Sequence, residues 1–239
     1  MSPGVASLSV VSPLRTGAGG IETARSGRQS AARLVSGRGR GYQHDMHDLT
    51  SATEMLSRVV VDVQADQLDA PTPDGDATVA DLLDHVNGLS QAFAAAAVKD
   101  LASSRPPSAA DGSRLPPDWR ISIPERLAGL AAAWQSESAW AGTTKAGGID
   151  MPAEVAASVA TNEVLVHGWD LATAIGHEYT VDPGLVEVAT AFVEPTVRQN
   201  PDGVPGLFGP AVEVPDGASP LDRLIGLTGR DPAWRPRSS

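Results

Sequence analysis

The stretch from Pro152 to Gly176 constrains this chain more than any other. Val155, Val159, Val166, Trp169 and Thr173 recur there at the spacing of one helix face. Proline in a first helical turn costs no hydrogen bond, so Pro152 suits the start of a helix carried through Gly176. A helix of that length has to bury its apolar stripe against other elements, and the rest of the sequence supplies matching stripes. Met55, Leu56, Val59, Val60 and Val63 predict a first helix from Asp48 to about Asp66, ended by Pro71 and Pro73. Thr78, with Asp81 three residues on, forms a capping-box-like start to a second. Its stripe is Val79, Leu82, Val86, Leu89 and Phe93, and it is expected to run to about Ser103.

Residues 104–121 hold four prolines and read as a loop, with Ser122 capping a third helix that begins at Pro124. Leu127, Leu130 and Trp134 would face inward from it. Asp182-Pro183 opens a fifth helix, and beyond Asn200 the chain turns Pro- and Gly-rich, with one short amphipathic piece near Leu221 to Leu227. No strand pair stands out, and Thr143-Thr144-Lys145 reads as a turn. The expected fold class is therefore all-α: an up-and-down four-helix bundle with an additional helix and an irregular C-terminal segment.

With 239 residues and 41% hydrophobic composition the chain can build a full core without staples. It has no cysteine, which excludes disulfides, thiolate metal ligands and a cysteine nucleophile. The charge is uneven. Residues 1–45 carry six arginines against Glu22 and Asp45, while the remainder is strongly acidic within a total of −11. An acidic body repels phosphate backbones and anionic lipid, so neither nucleic acid nor membrane is an expected partner, and a cytoplasmic setting is. Residues 1–45 are aperiodic and rich in Ser, Gly and Arg, and are read as a disordered extension. A transit peptide, a basic nucleic-acid arm and translated sequence upstream of a start at Met46 compete for it, the last being preferred. The folded unit is then 46–239.

Of five histidines, His85 and His167 alone lie deep inside expected helices, each at the border of an apolar stripe among small residues. Glu163 and His167 are four apart, so they are neighbours on one face. With His85 arriving from the facing helix, the set is the two-imidazole, one-carboxylate group of open zinc sites. Asp81, one turn before His85, and Asp170, one turn after His167, are placed to fix the ring tautomers. The competing reading makes each histidine a hydrogen-bonded core residue.

The runs T-V-A-D-L-L-D-H-V-N-G-L and N-E-V-L-V-H-G-W-D-L-A-T-A-I-G, with a closing F-G-P-A-V-E-V-P and P-L-D-R-L-I-G-L-T-G-R-D-P-A-W, resemble the mycothiol-dependent maleylpyruvate isomerase-like group of the DinB superfamily, and an uncharacterised metal-binding subgroup of it in particular. The resemblance spans roughly Met46 to Trp234. It implies a DinB-like bundle whose metal ligands fall on His85, Glu163 and His167, with mycothiol, an external low-molecular-weight thiol, as cosubstrate and an electrophile as second partner. The implied function is a thiol-dependent transferase or isomerase built on a divalent metal, zinc by preference; the alternative is a non-catalytic, metal-stabilised bundle with a binding or regulatory role. Where the group often carries Cys-Pro and Trp, this chain reads T-P-D-G-D-A-T-V, so the pocket mouth is expected to differ. The catalytic arginine of the isomerase's C-terminal domain is not mapped onto this chain.

Overall fold

A computed structural model describes residues 46–100, 109–204 and 208–236; the extension read at residues 1–45 lies outside them. Among the described residues seven α-helices follow in order: α1 (Thr50–Asp62), α2 (Val79–Ala97), α3 (Trp119–Trp134), the single turn α4 (Glu137–Trp140), α5 (Ala153–Ile175), α6 (Pro183–Gln199) and α7 (Pro220–Leu227). Two short strands, β1 (Thr143–Ala146) and β2 (Ile149–Pro152), form an antiparallel hairpin between α4 and α5.

The bundle consists of α1, α2, α3 and α5. Helices α1 and α2 each pack against both α3 and α5, so these two stand at opposite corners. Leu56, Val60, Leu82, Leu83, Leu89, Phe93, Ile123, Leu127, Leu130, Trp134 and Leu165 fill one continuous core. Helix α6 packs on α5, and α7 on α6, as the additional layer. None of the described helices is long and apolar enough to cross a membrane.

Local signals explain most boundaries. Thr78 accepts a hydrogen bond from the Asp81 backbone N–H, and the Asp81 carboxylate accepts one from the Thr78 N–H, which closes the capping box that starts α2. Replacing Thr78 by Ala is expected to cost about 1 kcal/mol, a fall in melting temperature of about 2–4 °C for a chain of this size. Thermal denaturation followed by circular dichroism checks it, and an unchanged melting temperature would show that the cap contributes nothing. At the far end of α5, Gly176 takes φ +76° and the His177 N–H reaches back to the Ala172 carbonyl, a left-handed stop that glycine adopts without strain.

Three expectations need correction. Helix α3 begins at Trp119 rather than Pro124, so Ser122 is a helical residue and not a cap. Pro124 withholds one hydrogen bond from the preceding turn; the burial of Trp119 and Ile123 in the core offsets that loss. Helix α2 ends at Ala97, because Lys99 takes φ +57° and turns its ammonium onto the carbonyls of Ser138 and Ala139. Thr143-Thr144-Lys145 is strand β1 rather than a turn, paired with β2 through Thr144 and Met151 and anchored by the Thr144 hydroxyl on the Ala96 carbonyl.

Candidate metal centre

Helices α2 and α5 are packed side by side and bring three polar side chains into an apolar interior. His85 comes from the middle of α2, Glu163 and His167 from one face of α5. All three are at least 93% buried. Glu163 Oε2 lies 3.2 Å from His167 Nε2 and 3.5 Å from His85 Nε2, and the two rings meet edge to face with centroids 4.6 Å apart. One donor atom from each residue falls within 4.8 Å of the others, compact enough to surround a single ion.

His85 is the informative member. Both of its ring nitrogens are buried, and among the described residues neither makes a hydrogen bond, the Glu163 carboxylate standing 3.5 Å from Nε2. Burial, and then the charge on His167, hold its pKa below the ordinary value, so it offers a neutral lone pair. A buried polar atom without a partner costs about 1–3 kcal/mol, which makes a simple core role for this imidazole a poor fit and a ligand role a good one.

The other two are held differently. Burial favours the neutral acid at Glu163, but its contacts to His167 and His85 outweigh that and keep its carboxyl well below the usual range. Burial likewise works against a charged His167. The hydrogen bonds to Asp170 and Glu163, with the charges of those carboxylates, prevail and push its pKa up to about 10. Without a cation, both ring nitrogens of His167 therefore carry protons near neutral pH, donating to Glu163 and Asp170.

A testable consequence follows from this protonation. A cation can take His167 Nε2 only after its proton has left, so zinc loading at pH 7 is expected to release about one proton per chain. Affinity should accordingly rise with pH across the neutral range. Calorimetric titrations in buffers of different ionisation enthalpy measure the release; a heat independent of buffer would contradict it.

Of the two expected orienting carboxylates, Asp170 stands where the sequence reading put it. It is fully buried, and its Oδ2 is 3.1 Å from His167 Nδ1. Asp81 is engaged elsewhere: its carboxylate accepts from Thr78 and from the Gly112 backbone N–H, which ties the turn at Gly112–Arg114 to the start of α2. It accepts no hydrogen bond from His85. Trp169 packs with Val166 and Ile225, and His177 lies on the surface with Asp62 at 3.5 Å.

Three residues near the site escaped the sequence reading. Arg230, from the segment after α7, is 8% exposed, and its Nε and Nη2 donate to Asp170. Asp74, from the loop before α2, lies 3.0 Å from Arg230 Nη2 and 3.9 Å from His167 Nδ1. Tyr179 folds back over Gly168, where any side chain would collide with the phenol. Loop residues carry no period, so the only hints were the departure at T-P-D-G-D and the arginine in the closing G-R-D-P run.

A family model described as the mycothiol maleylpyruvate isomerase N-terminal domain matches residues 49–172, a range that contains the whole triad. Two uncharacterised proteins of Mycobacterium tuberculosis, MT0763 of strain CDC 1551 / Oshkosh and Rv0738 of strain ATCC 25618 / H37Rv, are each 30% identical to this chain over 186 residues. The match covers 75% of this chain and 93% of theirs. Crystal structures of the mycothiol-dependent maleylpyruvate isomerase and of a mutant of it align with TM-scores of 0.46 and 0.47 at 22% and 24% identity. Each alignment covers 62% of this chain and 67% of the other.

Proposed function

We propose, for a chain that belongs to the mycothiol maleylpyruvate isomerase N-terminal-domain family, that His85, Glu163 and His167 hold a divalent cation in the service of a thiol-dependent transferase or isomerase. The observation that carries this reading is the buried, unpartnered imidazole of His85 set against a carboxylate that His167 also contacts. Two imidazoles and one carboxylate suit a borderline ion, so zinc is the proposed metal, and an open coordination position is characteristic of such donor sets. Mycothiol is the proposed cosubstrate, drawn from the family's name; the absence of cysteine means that the reacting sulfur has to come from outside the chain.

A bound cation there would lower the pKa of an incoming thiol from its ordinary value of ~8.5, so that thiolate forms near neutral pH. The protein's own groups supply the rest. The Glu163 carboxylate would offset the cation's charge and His85 would contribute a neutral donor, while Asp170 holds the Nδ1 side of His167 so that Nε2 faces Glu163. Burial of all three limits water around the reacting sulfur.

Incubating the zinc-loaded protein with mycothiol and a panel of electrophiles, and following loss of free thiol, tests the reading. Thiol-dependent consumption that disappears in Glu163→Ala is expected. Stoichiometric metal with no turnover across the panel would favour a metal-stabilised bundle with a binding or regulatory role.

A further inference from the structure

We propose that Arg230 is a positioning residue for this centre: its guanidinium gathers the Asp170 and Asp74 carboxylates on the Nδ1 side of His167 and so fixes the ring with Nε2 toward Glu163. The inference rests on the metal-centre reading above for its importance, but its geometry stands alone.

Three separate parts of the chain meet at this arginine: α5 through Asp170, the loop before α2 through Asp74, and the segment after α7 through Arg230 itself. Nε lies 3.1 and 3.2 Å from the two Asp170 oxygens, while Nη2 lies 3.0 Å from Asp170 Oδ2 and 3.0 Å from Asp74 Oδ1. Nη1 donates to the Thr228 carbonyl at 3.2 Å, which leaves the fork pinned from behind. The Thr228 hydroxyl in turn bonds the Ile225 carbonyl, and Ile225 packs on Val166 and Trp169 of α5. The arginine is thus delivered by packing onto the helix that carries Glu163 and His167.

The carboxylates explain why a fork is needed. Asp170 Oδ2 and Asp74 Oδ2 both face His167 Nδ1, at 3.1 and 3.9 Å. Two negative groups so close repel unless a cation lies between them. Asp170 is fully buried and has nowhere to go, whereas the Asp74 side chain is 22% exposed and has a path to solvent. A planar guanidinium can serve both at once; an ammonium, a point charge on a flexible stem, cannot hold the same geometry.

Charge alone makes the opposite prediction from positioning. Glu163, Asp170 and Asp74 bring three carboxylates to the site and Arg230 sets a fixed positive charge beside them, so removing the arginine makes the site more attractive to a dication. Positioning predicts weaker binding instead, because the histidine loses its fixed orientation.

The full chain is compared with Arg230→Lys and Arg230→Met, with folding checked by circular dichroism. Two quantities are read: exchange protection of the His167 Nδ1–H in nitrogen-15 NMR of the metal-free protein, and zinc affinity by chelator competition. The wild type is expected to show a protected proton that both variants lose, with zinc Kd raised about tenfold or more. An unprotected proton in the wild type, wild-type protection and Kd in Arg230→Lys, or tighter zinc binding in Arg230→Met would each overturn the proposal. Arg230→Lys keeps the buried charge and decides the matter should Arg230→Met fail to fold. If the wild type takes up no zinc, the metal reading falls, and the proton signal still judges this one: protection retained in Arg230→Lys overturns it, protection lost upholds it.

Discussion

His85→Ala, Glu163→Ala and His167→Ala are each expected to empty the centre, with the loss in zinc affinity exceeding the ~10–100-fold typical of an outer partner. Each removes one of the three proposed donors, and two donors do not define an open four-coordinate site. The fold should survive, because the core rests on Leu82, Leu89, Phe93, Ile123 and Leu165 rather than on the triad. His85→Ala is the cleanest of the three, since its Nε2 stands 3.5 Å from the Glu163 carboxylate and that carboxylate keeps its closer contact to His167. His177→Ala is the control: it sits past the end of α5, with its side chain 43% exposed beside Asp62, and should keep full occupancy. Chelator competition on the four variants checks this. Full zinc affinity in Glu163→Ala, or metal loss in His177→Ala as complete as in His167→Ala, would dismantle the triad.

Asp170→Ala carries the second large effect, this time on stability. Arg230 would remain buried with its principal counter-charge gone, and breaking a buried ion pair in this way costs roughly 3–5 kcal/mol. The remaining contact to Asp74 places the expected loss near the lower end, about 3 kcal/mol. Urea denaturation of the metal-free protein measures it. Replacing both partners, Asp170→Leu with Arg230→Met, should recover part of the loss, because an apolar pair of similar volume leaves no stranded charge. A cost under about 1 kcal/mol for Asp170→Ala would mean that Arg230 finds other partners or reaches water.

The bundle and the meeting of His85, Glu163 and His167 are legible in the sequence because they rest on periodicity and caps. Thr78 with Asp81, Asp182 with Pro183, and Gly176 marked helix ends that the structure reproduces. The four-residue spacing of Glu163 and His167 places both on one face of a helix, and the stripe position of His85 turns it toward them. What stayed hidden depends on chain folding between distant segments. Asp74 and Arg230 come from aperiodic stretches, and nothing local says that they meet over His167. Asp81 illustrates the opposite error: one turn before His85 was a reasonable place for an orienter, yet the same residue was already the capping-box acid, and that demand on its carboxylate prevailed. The hairpin did have a signal. Gly147-Gly148 between two apolar-containing runs is a two-residue turn, with both glycines at positive φ, but four-residue strands are too short to show alternation. The start of α3 differs from the sequence expectation because Pro124 fits a first helical turn equally well, although Trp119 and Ile123 already lie on the buried face.

The central claim is that this protein holds a divalent transition-metal cation on His85, Glu163 and His167. Elemental analysis of protein purified without a histidine tag tests it most directly. About one equivalent of metal per chain is expected, zinc foremost, in keeping with a single three-donor site; less than about a tenth of an equivalent of any transition metal, with none taken up on adding zinc, would contradict it.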